Sequence, residues 1–345
     1  MDNRGLLRQN RFSINDFLKP KADEYAVASI WATYSLNDIV VLSNLISLQE
    51  DRALFEENID QTPLRRLQSS CENTIIFYNQ GCWSGSSKPR LIQIIDRNLI
   101  EVPRELSGPS FHPKFYFTKY KSKNTGSLFW RLAVVSRNMT TDVSMDIGIG
   151  LDLKKEKEPQ AWGLKAHSYI SKIFLACGIE NQQTYGSELI ELVNDLKFLS
   201  PVDSEVDWLG QTPGSKVSPI WFNAEASKIE EVILVSPFIN KTGLDGFSHL
   251  NTKKILIARK ESFDNFLMKA AESNHSNLYE SLLKSFECHQ FNSSINDIEQ
   301  EDNNEFNLHA KMILVKTENK FFMYGGSANL TSGGWNGINF ELGLG

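Results

Sequence analysis

Short apolar runs recur along the chain between polar segments. Residues 26–31 (AVASIW) and 74–78 (TIIFY) form two such runs, and residues 232–237 (VILVSP) and 254–258 (KILIA) form two more. Runs of about four to eight residues that are rich in β-branched and aromatic side chains are typical of buried strands. The longest apolar runs fall well short of the ~20 residues that a membrane-spanning helix needs. We therefore predict a globular protein with buried strands and no transmembrane helix.

The middle of the chain changes pattern. Residues 160–178 and 185–199 have apolar positions at helical spacing, and residues 201–219 carry the Pro, Gly and Ser of a linker. We place a boundary in this linker, which gives a first half of residues 1–210 and a second half of residues 211–345. The acidic segment 296–304 (NDIEQEDNN) is predicted to be a solvated loop.

The two halves repeat one series of short motifs. The first half contains FHPKFYF, VVSRN and DIGIG, and the second contains LHAKMIL, GGSAN and ELGLG in the same order. Each series is a His-x-Lys, then a Ser-x-Asn, then an acidic residue followed by two apolar-Gly steps. Each matched residue of the second half follows its counterpart in the first half by nearly the same number of positions. An internal repeat of this kind predicts a duplicated fold.

The repeated polar residues have the chemistry of a phosphate site. Residues i and i+2 of a strand point to the same face, so a His-x-Lys within a strand places an imidazole beside an ammonium group. The downstream Asn adds an amide donor for the same phosphate oxygens. Each half would supply one such set of three side chains: His112, Lys114 and Asn138 in the first, and His309, Lys311 and Asn329 in the second.

Cleavage of a phosphodiester without a metal needs two histidines with different tasks. One is neutral and attacks phosphorus, and the other is protonated and gives its proton to the leaving oxygen. The duplication supplies both histidines. Asp146 and Glu341 are the acidic residues that would fix an imidazole tautomer, and Ser136 and Ser327 would bind substrate, hydrogen-bond a histidine or cap the turn.

The amino-acid composition limits the classes of protein to which the chain can belong. Hydrophobic residues are 41% of the chain and charged residues 23%, as in folded globular proteins. The net charge of −6 argues against a protein that coats nucleic acid or anionic membrane, but it permits a local basic groove. The four cysteines form no C-x-x-C pair, and no nucleotide loop is present, so we expect no metal and no cofactor. The N-terminus lacks the apolar stretch of a secretory signal, which predicts a cytoplasmic location.

The repeated motifs resemble those of the phospholipase D superfamily, in which His-x-Lys is usually followed by an Asp. Here Lys119 and Lys316 stand at the Asp positions. Loss of that Asp with retention of the Asn resembles the tyrosyl-DNA phosphodiesterase branch and its bacterial relatives. The segment SANLTSGGWNGINFELG is also similar to that branch. The resemblance implies an α/β fold of two mixed-sheet halves with flanking helices, related by a pseudo-twofold axis, with one active site at the seam.

The same resemblance implies residue roles. His112 would be the nucleophile, His309 the general acid and then base, and Glu341 the residue that orients His112. Either Asp142 or Asp146 would be the partner of His309. Four side chains would clamp the phosphate: Lys114, Lys311, Asn138 and Asn329. Trp335 would either stack on a substrate base or close the core of the second half.

The function predicted from these residues is a metal-independent nuclease that cleaves DNA or RNA through a phosphohistidine. The resemblance implies a role in restriction or antiviral defence beside a separate ATPase or helicase. One alternative is a phospholipid-processing enzyme, for which we see no exposed apolar loop or basic amphipathic helix. A second alternative is a nucleic-acid-binding module that has lost turnover, against which all six repeated His, Lys and Asn residues are intact.

Overall fold

The protein is described here from a computed structural model. It describes residues 13–48, 68, 70–84, 93, 95–104, 108–142, 144–179, 186–202, 205–215, 228–272, 276–292 and 307–345. The predicted acidic loop 296–304 lies outside these residues. Within the described residues, no helix is long and apolar enough to cross a membrane.

Strands account for most of the regular structure. In chain order they are β1 (Glu24–Thr33), β2 (Leu36–Asn37), β3 (Thr74–Asn79), β4 (Trp83–Ser84), β5 (Leu99–Val102), β6 (Phe115–Ser122), β7 (Leu128–Val135), β8 (Ser144–Met145), β9 (Gly148–Lys155), β10 (Leu199–Pro201), β11 (Trp208–Gln211), β12 (Ile229–Val235), β13 (Lys253–Ala258), β14 (Glu287–Gln290), β15 (Asn307–Leu308), β16 (Met312–Thr317), β17 (Phe321–Gly326) and β18 (Glu341–Leu344). All four strands predicted from apolar runs are present, as β1, β3, β12 and β13.

Helices connect and cover the strands. They are α1 (Ile14–Leu18), α2 (Asp38–Ser47), α3 (Ala161–Ala176), α4 (Ser187–Asp195), α5 (Lys241–Ser248), α6 (Lys260–Glu272), α7 (Ser276–Lys284) and α8 (Ser332–Trp335). Asparagine caps start two of them: the Asn37 side chain accepts from the backbone N–H of Ile39, and that of Asn240 accepts from Gly243. Such caps satisfy backbone donors that a helix leaves free at its N-terminus. The predicted helices at 160–178 and 185–199 correspond to α3 and α4.

Two seven-stranded mixed sheets repeat one topology. The first has the order β10-β9-β7-β6-β1-β3-β5, and the second has the order β11-β18-β17-β16-β12-β13-β14. In each, three neighbouring strands on one side are parallel, and the rest pair antiparallel. The sequence repeat therefore corresponds to a duplicated α/β fold of two mixed sheets with flanking helices.

The segment predicted as a linker contains the edge strand of the second sheet. β11 pairs antiparallel with β18 at the far end of the described chain. The matching edge strand of the first sheet, β10, follows its partner β9 in sequence, whereas β11 precedes β18 by more than a hundred residues. The predicted boundary at residue 210 falls inside β11.

Three main apolar clusters hold the layers together. One lies between the first sheet and α1 and α2. A second lies on the other face of that sheet under α3 and α4, and it also takes in Trp208, Leu342 and Leu344 of the second sheet. The third lies between the second sheet and α5, α6 and α7. Because the middle cluster is shared, the two halves are packed through a common core.

Candidate active site

Each His-x-Lys lies immediately before a strand. His112 and Lys114 precede β6, and His309 and Lys311 precede β16. Our prediction that these motifs lie within strands was therefore wrong by a few residues. The reason is that the backbone N–H of each histidine bonds to the other half, and pairing with its own sheet resumes at the lysine.

The backbone of each histidine is anchored to the opposite half. The N–H of His112 donates to the carbonyl oxygen of Phe340 at 3.0 Å, and that of His309 donates to Met145 at 2.9 Å. Phe340 precedes Glu341, and Met145 precedes Asp146. The backbone of each histidine is thus bonded to the residue that precedes the acidic residue of the other half, so the two repeats meet in one crossed arrangement.

The first of these crossed pairs is closed by a side-chain hydrogen bond. Nδ1 of His112 lies 3.0 Å from Oε2 of Glu341. Ser327, which is fully buried, donates its hydroxyl to the same carboxylate oxygen. Burial raises the pKa of Glu341, but His112, Lys114 and the hydroxyl of Ser327 together bring the pKa below its ordinary value. An ionised carboxylate can only accept, so Nδ1 carries a proton, and in the neutral imidazole Nε2 then keeps its lone pair.

Asp146 has a different set of partners. It accepts from the hydroxyls of Ser136 at 3.2 Å and Ser144 at 2.7 Å, and its carboxylate lies 4.0 Å from the guanidinium of Arg137. Among the described residues no ion pair joins Asp146 or Asp142 to His309. Burial raises the pKa of Asp146, against the effect of these neighbours. The two crossed pairs are therefore unequal.

The two lysines are buried and occupy matching positions. Nζ of Lys114 donates to the carbonyl oxygen of His112 at 2.8 Å, and Nζ of Lys311 donates to that of His309 at 2.6 Å. Burial lowers the pKa of Lys114 well below its ordinary value, and the charge of Lys311 lowers it further. Burial also lowers the pKa of Lys311, to about 8. Each ammonium retains donors for an anion, because an ammonium group has three.

Both histidines favour the neutral form before an anion binds. Burial lowers the pKa of His112, although Glu341 opposes this shift. Burial lowers the pKa of His309 to about 4, and the charge of Lys311 acts in the same direction. Lys114 also lowers the pKa of His309, and Lys311 that of His112, so the charges of one half act on the histidine of the other.

The two asparagines follow β7 and β17 as predicted, in partly buried positions. The side-chain carbonyl oxygens of Asn138 and Asn329 are buried, and neither has a hydrogen-bond partner within the described part of the chain. Buried polar atoms are usually satisfied, and exceptions concentrate at functional sites.

Among the described residues, the hydroxyls of Ser136 and Ser327 hydrogen-bond carboxylates and no histidine. Each hydroxyl also accepts from a backbone N–H, that of Ile147 at 2.9 Å and that of Leu342 at 3.0 Å. Trp335 is partly buried and packs on the core of the second half, with its ring 5.0 Å from that of Tyr324.

Two further residues of the site were missed in the sequence. Tyr34 follows β1, and its ring lies 5.3 Å from the ring of His112. Arg259 follows β13, and its charge lowers the pKa of His309. Both stand at the carboxyl ends of parallel strands, where α/β proteins commonly bind ligands. Their place at the end of a strand was the feature of the sequence that could have identified these two residues.

Among the described residues, no group of three or more His, Cys, Asp or Glu side chains is arranged to hold a metal ion. The site consists instead of two imidazoles, two ammonium groups and two amides, with one histidine fixed by a carboxylate from the other half. Such a set can bind a phosphate and move protons around it.

One comparison with known proteins agrees with this architecture. No family model and no curated protein sequence matches the chain. Among solved structures, a mutant of yeast tyrosyl-DNA phosphodiesterase is similar, with 14% identity and a TM-score of 0.57 over 96% of this chain and 84% of that one. The polyphosphate kinase of Porphyromonas gingivalis is also found, with 10% identity and a TM-score of 0.43 over 96% of this chain and 44% of that one.

The first similarity extends over nearly the whole chain and includes both halves. Together with the repeated sheet order, it agrees with the resemblance seen in the motifs. The protein therefore shares the fold of tyrosyl-DNA phosphodiesterase, built from two repeated α/β halves.

Proposed function

We propose that this protein is a metal-independent phosphodiesterase that cleaves DNA or RNA through a phosphohistidine. The observation that carries the proposal is the 3.0 Å contact between Nδ1 of His112 and Glu341, which leaves Nε2 of a neutral imidazole free to attack. A histidine held in one tautomer by a buried carboxylate is also found in other covalent hydrolases, where that histidine acts as the general base.

In the first step, Nε2 of His112 forms a bond to phosphorus while the bond to the leaving oxygen breaks. His309 gives its proton to that oxygen. In the second step, His309 takes a proton from water, the water oxygen bonds to phosphorus, and the bond to His112 breaks. Lys114, Lys311 and the two asparagines stabilise the charge on the nonbridging oxygens in both steps.

The low pKa of His309 fits this sequence once substrate is included. At about 4, the pKa leaves His309 neutral near pH 7 in the free protein. A bound phosphodiester places negative charge among the cations that lower this pKa. Opposite charge favours the protonated form, so substrate binding itself would favour protonation of His309, the general acid.

Substrate choice is also a proposal. Tyr34 beside His112 offers an aromatic face on which a base or another ring can stack. The fold neighbour acts on tyrosyl-DNA, as its name states, so a tyrosyl conjugate is a rational substrate to include. A role in restriction or antiviral defence with a separate ATPase or helicase belongs to the same proposal.

The direct test is incubation of the protein with end-labelled single- and double-stranded DNA, RNA, a tyrosyl-DNA conjugate and phospholipid vesicles, all in excess EDTA. We expect cleavage of at least one nucleic acid and loss of that cleavage in His112→Ala. Activity that disappears in EDTA and returns with magnesium would refute the mechanism. Cleavage of lipid alone would favour a phospholipase, and nucleic-acid binding without cleavage would favour a binding module.

A further inference from the structure

One set of hydrogen bonds is repeated at the carboxyl ends of the two central strands. Thr33 is the last residue of β1, and Ser236 directly follows β12. In each half, the preceding residue pairs with the residue that follows the His-x-Lys, so Thr33 and Ser236 hold matching places in the repeat. Both side chains are fully buried. A buried hydroxyl needs partners, and each of these two has the same kinds of partner.

The Thr33 hydroxyl connects the end of β1 to the segment that carries Asn138. It donates to the carbonyl oxygen of Ser35 at 2.8 Å, and it accepts from the backbone N–H of Met139 at 3.1 Å. That N–H belongs to the peptide group that joins Asn138 to Met139. The carbonyl oxygen of Met139 accepts in turn from the N–H of Asn37 at 2.7 Å. The backbone directly after Asn138 is therefore held by two hydrogen bonds.

The Ser236 hydroxyl makes the equivalent connection to Asn329. It donates to the carbonyl oxygen of Phe238 at 2.7 Å, and it accepts from the backbone N–H of Leu330 at 3.0 Å. The carbonyl oxygen of Leu330 accepts from the N–H of Asn240 at 2.9 Å. The two halves thus fix the residue after the asparagine in the same way, although one uses a threonine and the other a serine.

The amide of each asparagine depends on this backbone for its orientation. The side-chain carbonyl oxygens of Asn138 and Asn329 have no hydrogen-bond partner among the described residues. Two positions before each asparagine, the hydroxyls of Ser136 and Ser327 accept from the backbone N–H that follows the acidic residue of the same half. Each asparagine therefore lies between two backbone anchors made by buried hydroxyls, and neither anchor occupies its amide oxygen.

We propose, on the basis of the function proposed above, that Thr33 and Ser236 are positioning residues that direct the amides of Asn138 and Asn329 to the nonbridging oxygens of the substrate phosphate. Each hydroxyl donates its proton to the carbonyl two residues later, so a lone pair faces the N–H after the asparagine. Without the hydroxyl, that buried N–H lacks a partner and the peptide group can rotate. Rotation there moves the asparagine side chain, and displacement of a catalytic group by about 1 Å can lower a rate by about 10²-fold.

The first test removes each hydroxyl alone. In Thr33→Val and Ser236→Ala we expect kcat to fall about tenfold with little change in KM, because the asparagines stabilise charge that is greatest in the transition state. Thr33→Ser and Ser236→Thr keep a hydroxyl and should keep the activity. Thr118→Val is the matched control and should leave kcat unchanged, since Thr118 is equally buried and its hydroxyl bonds to Ser29 at 3.1 Å inside the first sheet.

Double-mutant cycles separate positioning from a general effect on folding. In an Asn138→Ala background, Thr33→Val should cause no further loss of kcat, because the amide that it positions is already absent. In an Asn329→Ala background, the same substitution should cause its full loss. Ser236→Ala should show the reverse pattern. Thermal unfolding of the same variants is measured in parallel, and each hydroxyl should contribute equally to stability in both backgrounds.

Binding of inorganic phosphate, measured by isothermal titration calorimetry, repeats the cycles without turnover. We expect Thr33→Val to weaken phosphate binding in the wild-type background and not in the Asn138→Ala background. If no substrate is cleaved but this pattern holds, the proposed function fails and the positioning role stands. Equal losses of kcat in all backgrounds, or kcat and phosphate binding unchanged in both Thr33→Val and Ser236→Ala, would overturn the positioning role. Absence of both cleavage and saturable phosphate binding in the wild type would overturn both proposals.

Discussion

Arg259 donates two hydrogen bonds to the carbonyl oxygen of Leu308, from Nε at 2.8 Å and from Nη2 at 2.5 Å. Leu308 is the residue before His309, so the guanidinium fixes the backbone that presents this imidazole. The same guanidinium lies 4.9 Å from the ring of Phe238. Arg259 therefore acts on His309 in two ways, through its position and through its charge.

The charge effect gives the first prediction. Arg259 lowers the pKa of His309, after burial and Lys311. In Arg259→Gln the pKa of His309 should rise, so its protonated form persists to higher pH. The alkaline limb of the pH profile of kcat/KM should therefore shift to higher pH. Arg259→Lys keeps the charge and should lower kcat without moving the limb. A pH profile of both variants checks this, and equal shifts in the two would contradict a charge effect.

The unequal carboxylates give the second prediction. Glu341→Gln removes the charge that holds Nδ1 of His112, and kcat should fall by roughly 10²–10⁴-fold, as in enzymes that lose the carboxylate of a catalytic triad. Asp146→Asn should cost less, because Asp146 contacts serines and Arg137 instead of a histidine. Steady-state rates and thermal unfolding of both variants are the measurements. Equal losses of activity at unchanged stability would show that the two carboxylates have equivalent roles.

The third prediction separates the two histidines. His112→Ala should form no covalent adduct, whereas His309→Asn should accumulate one on His112, because no base activates the water in the second step. The measurement is acid-quench trapping with substrate labelled at the scissile phosphate, followed by peptide mapping. Label on His309 in the His112→Ala variant would reverse the assignment, and no label in either variant would indicate direct attack by water.

The fourth prediction concerns stability at two matched lysines. Lys119→Ala leaves the buried Asp195 with one fewer cation and should lower the free energy of unfolding by on the order of 2–3 kcal/mol, between the values for buried and exposed pairs. Lys316→Ala removes only an exposed pair and should change stability little. Urea denaturation measures both variants. A larger loss at Lys316 would contradict the difference in burial between the halves.

The sequence was sufficient for features that depend on local pattern. Four strands, two helices and the repeat itself follow from apolar spacing and from the matched His, Lys and Asn residues. The partner of His309 was left open between Asp142 and Asp146, and neither carboxylate forms an ion pair with it among the described residues. Spacing cannot decide such a pairing, because it depends on how the two halves dock.

Other features depend on long-range pairing and had no local signal. β11 lies in a Pro- and Gly-bearing segment, and its pairing with β18 makes it a strand. Arg259 and Tyr34 lie in no repeated motif, and only the parallel order of β13 and β1 brings them to the site. The departure of His112 and His309 from their own strands likewise follows from bonds to the opposite half.

The contact between His112 and Glu341 joins residues that are 229 positions apart. A ribosome that adds roughly 5–20 residues per second needs on the order of 10–50 seconds to make that stretch. During this interval the nascent chain exposes a histidine whose tautomer nothing fixes. His112 and Glu341 can therefore meet only after the second half has been made and has folded onto the first, so a nascent chain that lacks residue 341 does not yet hold the paired site.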